Sequence, residues 1–342
     1  MIDIDGSFGE GGGQILRTGL ALALITGKAF RLRNIRARRS KPGLQPQHLA
    51  SVRAAATIGQ AQVRGAALGS RELVFEPGEV SPGKYHFAIG TAGATGLVLH
   101  TVYLPLAWKS TGPSDVILTG GTHVMTSPCF HFLDVTWRAY VELLGVRIRL
   151  RLRRSGFYPR GGGVVEAHIQ PCPKLRGLEL EDCGAVSRAR VMSAVAGLPE
   201  TIAQRQARRA EVRLQAYRLH VEHQLETWAG GPGTVLAVEL DTQPAPTLFF
   251  SLGARGKPAE RVADEAVDQV IAYLGEGPTA VDRHSADQLI LPLTLAEGTS
   301  HFAVAEITQH LLTNVAVIRQ FVERDITCQG NQGETGVVRV SA

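Results

Sequence analysis

The histidine at position 310 has the sequence surroundings of a nucleophile or a phosphate partner. It follows an apolar, strand-like run at 302–305 and precedes the run 311–318, which is predicted to form a buried helix. An imidazole at a helix N-terminus is biased towards its neutral form, and a histidine must be neutral to attack an electrophile. On the residues alone, a buried and hydrogen-bonded structural histidine remains the alternative.

A glycine-rich loop at 6–13 precedes a predicted helix, and such a junction attracts phosphate through free N–H groups and the helix dipole. The loop is not a Walker A motif, because Gln14 follows Gly13 where that motif has Lys and Ser or Thr. Its spacing also differs from GxGxxG. Glu10 inside the loop would repel phosphate unless a divalent metal lay between them. Glu10 is therefore a candidate metal ligand, with a solvated loop acid as the alternative.

A basic segment follows the first predicted helix, and no acid interrupts its six cations: Arg31, Arg33, Arg36, Arg38, Arg39 and Lys41. A Pro-Gly pair comes next, so the segment is predicted to be a strand that enters a phosphate-binding loop. Alternation favours a solvated face for Arg31 and Arg33, whereas Arg36 and Arg39 lie nearer the turn. Arginines also alternate with apolar residues over 147–153, which indicates a solvated strand face or a nucleic-acid track.

Composition limits the class of protein. The 342 residues are 44% hydrophobic and carry a net charge of +5, which argues against disorder and permits polyanion binding. The four cysteines form no CxxC motif, so neither a zinc knuckle nor a disulfide framework is indicated. The N-terminus has no basic leader and no uncharged apolar run reaches membrane-spanning length. We expect a soluble, cytoplasmic protein with no membrane partner.

The predicted elements near the N-terminus are a strand at 1–5, a helix at 14–26, a strand at 29–36 and a helix at 48–59. The pattern changes at about residue 184. A long polar helix is predicted at 199–224, then strands at 234–240 and 247–252 and a helix at 258–274. His220 and His223 would lie on the long helix, as a surface pair rather than a metal pair. Residues 1–183 and 278–342 are thus predicted to form a large domain, and 184–277 a smaller inserted α/β domain.

Five segments, in this order, resemble the RNA 3'-terminal phosphate cyclase family: 9–17 (GEGGGQILR), 36–48 with its KPGL, 156–163 (GFYPRGGG), 286–289 (ADQL) and 310–314 (HLLTN). The resemblance covers nearly the whole chain. It implies an α/β (α+β) fold of three repeated β/α units, each a four-stranded sheet with two helices, similar to the enolpyruvyl transferases. The smaller α/β domain would be inserted between the second and third units.

The resemblance also implies an activity. Members of the family use ATP and a divalent metal, Mg²⁺ or Mn²⁺, to convert an RNA 3'-phosphate end into a 2',3'-cyclic phosphate. His310 would attack the α-phosphorus of ATP and carry AMP covalently, and Glu10 would bind the metal. Phosphate or RNA-end ligands would be Arg17, Arg36, Arg39 and Gln47. Nucleotide-binding residues would be His100, Pro128, Phe250, His284, Asp287 and Gln288.

Two residues depart from the family pattern, because His100 and His284 stand where a glutamine and a tyrosine are expected. His284 can still stack on adenine, but strict ATP preference no longer follows. One alternative is a non-catalytic relative that binds ribosomal RNA precursors, although such relatives lack the nucleophilic histidine. Enolpyruvyl transfer on the shared fold is another, and would not need His310. The sequence does not determine the oligomeric state.

Overall fold

Residues 2–76 form a four-stranded sheet with two helices in the computed structural model, which describes residues 1–275, 277 and 279–341. The strand order is β1-β2-β4-β3, with β1 and β2 parallel and the other pairs antiparallel. The elements are β1 (Ile2–Asp5), α1 (Gln14–Thr26), β2 (Phe30–Arg33), α2 (Pro46–Ile58), β3 (Gln62–Arg64) and β4 (Leu73–Glu76). The predicted helix at 14–26 is confirmed. The predicted strand at 29–36 ends early, because Asn34 and Arg36 adopt positive φ.

The second sheet has the order β5-β6-β8-β7, again with a parallel first pair and antiparallel neighbours. A π-helical turn at Leu133–Trp137 separates α4 from α5. The elements are β5 (Lys84–Ala88), α3 (Thr95–Lys109), β6 (Ser114–Gly120), α4 (Phe130–Phe132), α5 (Arg138–Leu143), β7 (Ile148–Arg154) and β8 (Gly163–Ile169). The arginines at 149, 151 and 153 are exposed on β7, as the alternation predicts.

The third sheet has the order β12-β11-β13-β14 and a hydrophobic core of its own beneath two helices. Two short strands, β9 (Leu175–Arg176) and β10 (Glu179–Leu180), precede it. Its elements are β11 (Arg188–Ala196), α6 (Glu200–Gln215), β12 (His220–Trp228), β13 (Gly233–Leu240), β14 (Thr247–Leu252) and α7 (Ala259–Gly275). The single helix predicted at 199–224 is wrong at its end. His220 and His223 lie on β12, where a spacing of three places them on opposite faces.

The fourth sheet combines β10 with C-terminal strands in the order β10-β16-β18-β17, and β10 and β16 are parallel. The C-terminal elements are α8 (Ala286–Leu293), β15 (Ala296–Glu297), β16 (Ser300–Val304), α9 (Gln309–Phe321), β17 (Asp325–Gln329) and β18 (Gly336–Ser341). Of these, β15 lies outside the fourth sheet and pairs with β9. Residue 278, where the predicted large domain resumes, lies outside the described residues.

The architecture is mixed α/β, as predicted. One large hydrophobic core joins the first, second and fourth sheets, and α1 packs against both α3 and α9 within it. This packing brings the loop before α1 to the start of α9. None of the four cysteines is in a disulfide. Within the ranges described, each helix is too short or too polar to cross a bilayer.

Candidate active site

Glu10 and His310 form a hydrogen-bonded pair between the glycine loop and the start of α9. Oε2 of Glu10 lies 2.9 Å from Nδ1 of His310. The Glu10 side chain is only 10% exposed, whereas that of His310 is 54% exposed. Thr308 caps the helix by accepting a hydrogen bond from the Leu311 backbone N–H at 3.1 Å. Because Nδ1 of His310 is occupied by Glu10, Nε2 is the ring nitrogen left for chemistry.

The glycine loop reaches α9 because it has no side chain at the point of contact. Gly9 has φ +56°, and a Cβ there would lie 2.3 Å from Oγ1 of Thr313. Position 12 is also crowded, because a Cβ added to Gly12 would lie 2.6 Å from Oε1 of Glu10. The glycines therefore allow a close approach that places the Glu10 carboxylate beside the helix.

The carboxylate controls the charge of the imidazole. The hydrogen bond that the Glu10 carboxylate accepts raises the pKa of His310 above its usual 6.5, and burial opposes this only in part. The predicted bias towards a neutral imidazole is therefore wrong in its direction, because the carboxylate favours the protonated ring. Burial raises the pKa of Glu10, but the bond to His310 and the charge of Arg39 outweigh it and leave this pKa below its usual 4.5. The alternative of a solvated loop acid is excluded by this burial and pairing.

Guanidinium groups surround the pair. Nη2 of Arg39 lies 3.3 Å from Oε2 of Glu10, and the Arg39 side chain is 45% exposed. Arg17 on α1 donates to Oε1 of Gln14 at 2.8 Å, and burial lowers the pKa of Arg17 to about 10 despite the charges of Glu10 and Asp287. Arg36, which has φ +53°, donates to the backbone carbonyl of Lys41. Arg17 and Arg39 thus lie within electrostatic range of Glu10, and Arg36 lies within range of Arg39. The desolvation of Arg17 favours an incoming anion.

Asn314 joins three elements behind the histidine. Its Oδ1 accepts hydrogen bonds from Oγ1 of Thr18 at 2.7 Å and from Nε2 of Gln14 at 3.2 Å, and its Nδ2 donates to the backbone carbonyl of Asp287 at 2.7 Å. Asn314 belongs to the HLLTN segment that resembles the family, but no role was predicted for it. Its spacing of four residues after His310, on the same helix, was the available signal.

Asp287 lies at the start of α8, within electrostatic range of the pair. Burial raises the pKa of its carboxyl to about 7, although the charges of His310 and Arg17 act to lower it. The neighbouring Gln288 donates from Nε2 to the carbonyl of His284 at 2.8 Å, while its buried Oε1 has no partner within the described chain. An unsatisfied buried acceptor is a position at which a ligand can donate a hydrogen bond.

Two cavities border this region. The larger, of about 450 Å³, is lined by His284 together with Phe249, Asp282 and Glu306. The smaller, of about 290 Å³, is lined by Gln47 and by residues 124–127, which precede the half-buried Pro128. Oε1 of Gln47 accepts a hydrogen bond from the Ala94 backbone at 3.4 Å.

The other predicted nucleotide residues lie further into the protein. The ring of His100 packs 5.0 Å from that of Trp137, and its buried Nε2 has no hydrogen-bond partner among the described residues. Burial, with a smaller contribution from Arg17, lowers the pKa of His100 to about 3. Phe250 is half-buried on β14, and its contacts are with the hydrophobic cores and with Gln269. The structure does not bring Phe250 into contact with the Glu10–His310 pair.

His48 is a site residue to which the sequence gave no role. Its Nδ1 accepts a hydrogen bond from the Gln45 backbone at 3.0 Å, and burial, then the charges of Arg17 and Arg36, lower its pKa to about 3. A Cβ on Gly13 would lie 2.4 Å from its Nε2. His48 is therefore a neutral group between the glycine loop and the arginines. Its position directly after Gln47 was the signal.

Glu10 is the candidate ligand for a divalent metal. No cluster of three His, Cys, Asp or Glu donors includes Glu10 in the part of the chain that the structure describes. Mg²⁺, however, is commonly bound through one or two carboxylates with the remaining positions taken by water and substrate phosphates. One buried carboxylate next to arginines that could bind phosphate suits a metal that binds together with a phosphate compound.

Comparison with known proteins gives one consistent result. A family profile described as RNA 3'-terminal phosphate cyclase matches residues 8–328. Proteins named RNA 3'-terminal phosphate cyclase include one from Ectopseudomonas mendocina, 42% identical over 99% of this chain and 97% of its own length. Those from Caldivirga maquilingensis (44%, over 95% and 94%) and Salmonella typhimurium (42%, over 100% and 99%) are similarly close.

The mixed α/β scaffold, the histidine–carboxylate pair and these matches define an enzyme. The chain belongs to the RNA 3'-terminal phosphate cyclase family.

Proposed function

We propose that this enzyme converts an RNA 3'-phosphate end into a 2',3'-cyclic phosphodiester in an ATP-dependent reaction, through AMP bound covalently to His310. The observation that carries the proposal is the 2.9 Å contact between Glu10 and Nδ1 of His310, which orients Nε2 outward on a half-exposed side chain. A ring nitrogen so held has a fixed direction of attack, as an activated nucleophile requires.

In the first step, Nε2 of His310 attacks the α-phosphorus of ATP. The new N–P bond forms as the bond between the α-phosphorus and the bridging oxygen breaks, and pyrophosphate leaves. His310 must lose its proton before the attack, and Glu10 is placed to stabilise the positive charge that develops on the ring. The surrounding arginines offset the charge of the triphosphate.

In the second step, an oxygen of the RNA 3'-phosphate attacks the same phosphorus and releases His310. The RNA then ends in a pyrophosphate linkage to AMP. In the third step, the 2'-oxygen attacks the RNA phosphorus as its proton is lost, and AMP leaves. Adenylylation is needed because a phosphate monoester otherwise has no good leaving group for ring closure.

The remaining residues are assigned by position. Arg17, Arg36 and Arg39 would bind phosphate groups of ATP or of the RNA end, with Gln47 at the edge of the smaller cavity. Asp287, Gln288 and Phe250 would lie near the adenylate, and Pro128 and His284 would flank the adenine. His100 would be a further nucleotide-binding residue. Glu10 would hold the Mg²⁺ or Mn²⁺, which when bound offsets phosphate charge.

The proposal is tested by incubating the protein with α-labelled ATP and Mg²⁺ or Mn²⁺ in the absence of RNA. We expect label on the protein that is labile in acid and stable in alkali, the behaviour of a phosphoramidate. The label should be absent from His310→Ala and unchanged in His223→Ala, a matched control at an exposed histidine on β12. If folded wild-type protein takes up no label, the protein would instead be a non-catalytic RNA-binding relative.

The finer organisation of the chain belongs to the same proposal. When the strands of each sheet are numbered along the chain, the first, second and fourth sheets share the order 1-2-4-3, whereas the third has the order 2-1-3-4. The shared order supports three repeats of one β/α unit. The third sheet, with its own core, would be the inserted domain of residues 184–277. The proposed place of action is the cytoplasm, on RNA with 3'-phosphate ends.

A further inference from the structure

Three metal-binding side chains converge in the segment that joins β6 to α4. One donor atom from each of His123, Cys129 and His131 lies within 4.8 Å of the other two. His123 and Cys129 are buried, and His131 is half-buried. The group contains one cysteine and two histidines, so the absence of a CxxC motif gives no sign of it. The cluster shares no residue with the Glu10–His310 site.

The distances suit a small ion. Nε2 of His123 and Nδ1 of His131 are 3.1 Å apart. Two imidazole nitrogens bound tetrahedrally to one zinc ion at the usual bond length are about 3.4 Å apart. The two rings therefore need to separate only slightly for an ion to take the place of the hydrogen between them.

Hydrogen bonding orients His123 for this role. Oγ1 of Thr122 lies 2.8 Å from Nδ1 of His123 and accepts a hydrogen bond from the Gly156 backbone N–H at 2.9 Å. In the tautomer in which Nδ1–H of His123 donates to this oxygen, Nε2 carries the lone pair that a metal requires. A histidine ligand held through its other nitrogen is the usual outer arrangement of a metal site.

Aromatic side chains enclose the cluster. The ring of His131 stacks on Trp228 of β12 at 5.1 Å with an interplanar angle of 7°, and the ring of His123 stacks on Phe157 at 5.2 Å. These contacts hold the planes of both imidazole rings in place. Burial raises the pKa of the Cys129 thiol to about 12, so a bound cation is what would stabilise its thiolate.

We propose that His123, Cys129 and His131 form a binding site for a borderline-soft divalent cation of the zinc type, with the fourth position open to water. Two imidazoles and one thiolate select such an ion over Mg²⁺ or Mn²⁺, which prefer oxygen ligands. The bound ion would stabilise the packing of the segment 123–131, which includes Pro128, against Trp228 of the third sheet. The inference does not depend on the proposed function.

The test uses the full chain after removal of bound metal with a chelator, and Co²⁺ as the spectroscopic probe. We expect one equivalent of Co²⁺ to bind with a thiolate-to-cobalt charge-transfer band in the near ultraviolet, and Zn²⁺ to displace it. Cys129→Ser should lose the band, and His131→Gln should weaken binding at least tenfold. Cys328→Ser and Glu10→Gln, the matched controls, should retain both the band and the stoichiometry.

The wild-type spectrum alone can overturn the proposal, so it does not depend on a variant that folds. Absence of the charge-transfer band in folded wild-type protein would leave the cluster as a hydrogen-bonded histidine pair. Retention of the band in Cys129→Ser, or its loss in Cys328→Ser, would assign the cobalt to another site. Zn²⁺ should also raise the thermal midpoint of the wild type by about 5 °C, and this shift should be absent from Cys129→Ser.

Discussion

The Glu10 carboxylate lies 2.9 Å from Nδ1 of His310, although the two residues belong to opposite ends of the chain. The contact holds the His310 ring through Nδ1 and leaves Nε2 for chemistry. It also raises the pKa of the histidine, so that the group that orients the nucleophile also favours its protonated, inactive form. A divalent metal bound to Glu10 would offset the charge of the carboxylate and relieve this effect. Adenylylation is therefore expected to depend on pH.

Replacing Glu10 by Gln should shift that pH dependence. In the wild type, His310 loses its proton only as the pH rises through a value above 6.5, so the rate of label uptake should increase over that range. Without the carboxylate the pKa of His310 falls, and the increase should begin at lower pH. The maximum rate should fall at least tenfold, because the orienting bond is weakened. Glu76→Gln, which removes a carboxylate paired with Arg64 in the first sheet, is the control. An unshifted profile would contradict the role given to Glu10.

Replacing Arg39 by Ala should affect the RNA steps more than self-adenylylation. Its guanidinium contacts Glu10 from an exposed position, so it has donors left for a second anion. A lost charge-assisted hydrogen bond is worth about 1.5–3 kcal/mol, so we expect cyclisation of an RNA 3'-phosphate to slow by about 10- to 100-fold. Arg38→Ala, at an exposed neighbouring position, should have little effect. Equal losses in both steps would place Arg39 on ATP instead.

Replacing Gly9 by Ala should reduce adenylylation with little change in global stability. The new Cβ would meet Oγ1 of Thr313 at 2.3 Å and would require φ +56°, so the loop must move and carry Glu10 away from His310. Gly162→Ala is a matched control, because Gly162 has φ +70° but nothing lies within 4 Å of its Cβ position. The double variant Gly9→Ala/Thr313→Ala should recover part of the label uptake. No recovery would mean that backbone strain, rather than the clash, is responsible.

Local pattern was sufficient to predict the mixed α/β class and several of its elements, whereas the site residues were predicted mainly from the family resemblance. The apolar run after Gln14 and the closing Gly27 predicted α1 to its ends, because propensity and burial agree there. The pattern failed at residues 216–224, where polar residues continue a helical spacing but the chain turns and enters β12. Edge position in the sheet, which the sequence does not encode locally, decided that outcome.

The geometry of the site was less accessible to sequence. The pairing of Glu10 with His310, and the network centred on Asn314, depend on how α1 packs against α9. No local pattern reports a contact between segments so far apart. The direction of the pKa shift of His310 was mispredicted for the same reason, since the helix N-terminus was visible in the sequence and the carboxylate beside it was not.

Replacing His100 by Gln should make the protein less sensitive to acid. The buried imidazole has a pKa of about 3 when folded and near 6.5 when unfolded, so between these values the unfolded chain binds one more proton. Stability is therefore lost as the pH falls below 6.5, and this histidine alone accounts for about 2 kcal/mol at pH 5. We expect the loss in unfolding free energy between pH 7.5 and 5, measured by urea denaturation, to be smaller by that amount in His100→Gln. The exposed His86, replaced in the same way, should leave the loss unchanged.

If His100→Gln and the wild type lose equal stability over this range, His100 is protonated in the folded protein. The imidazole would then have found a partner for its Nε2, such as a bound water.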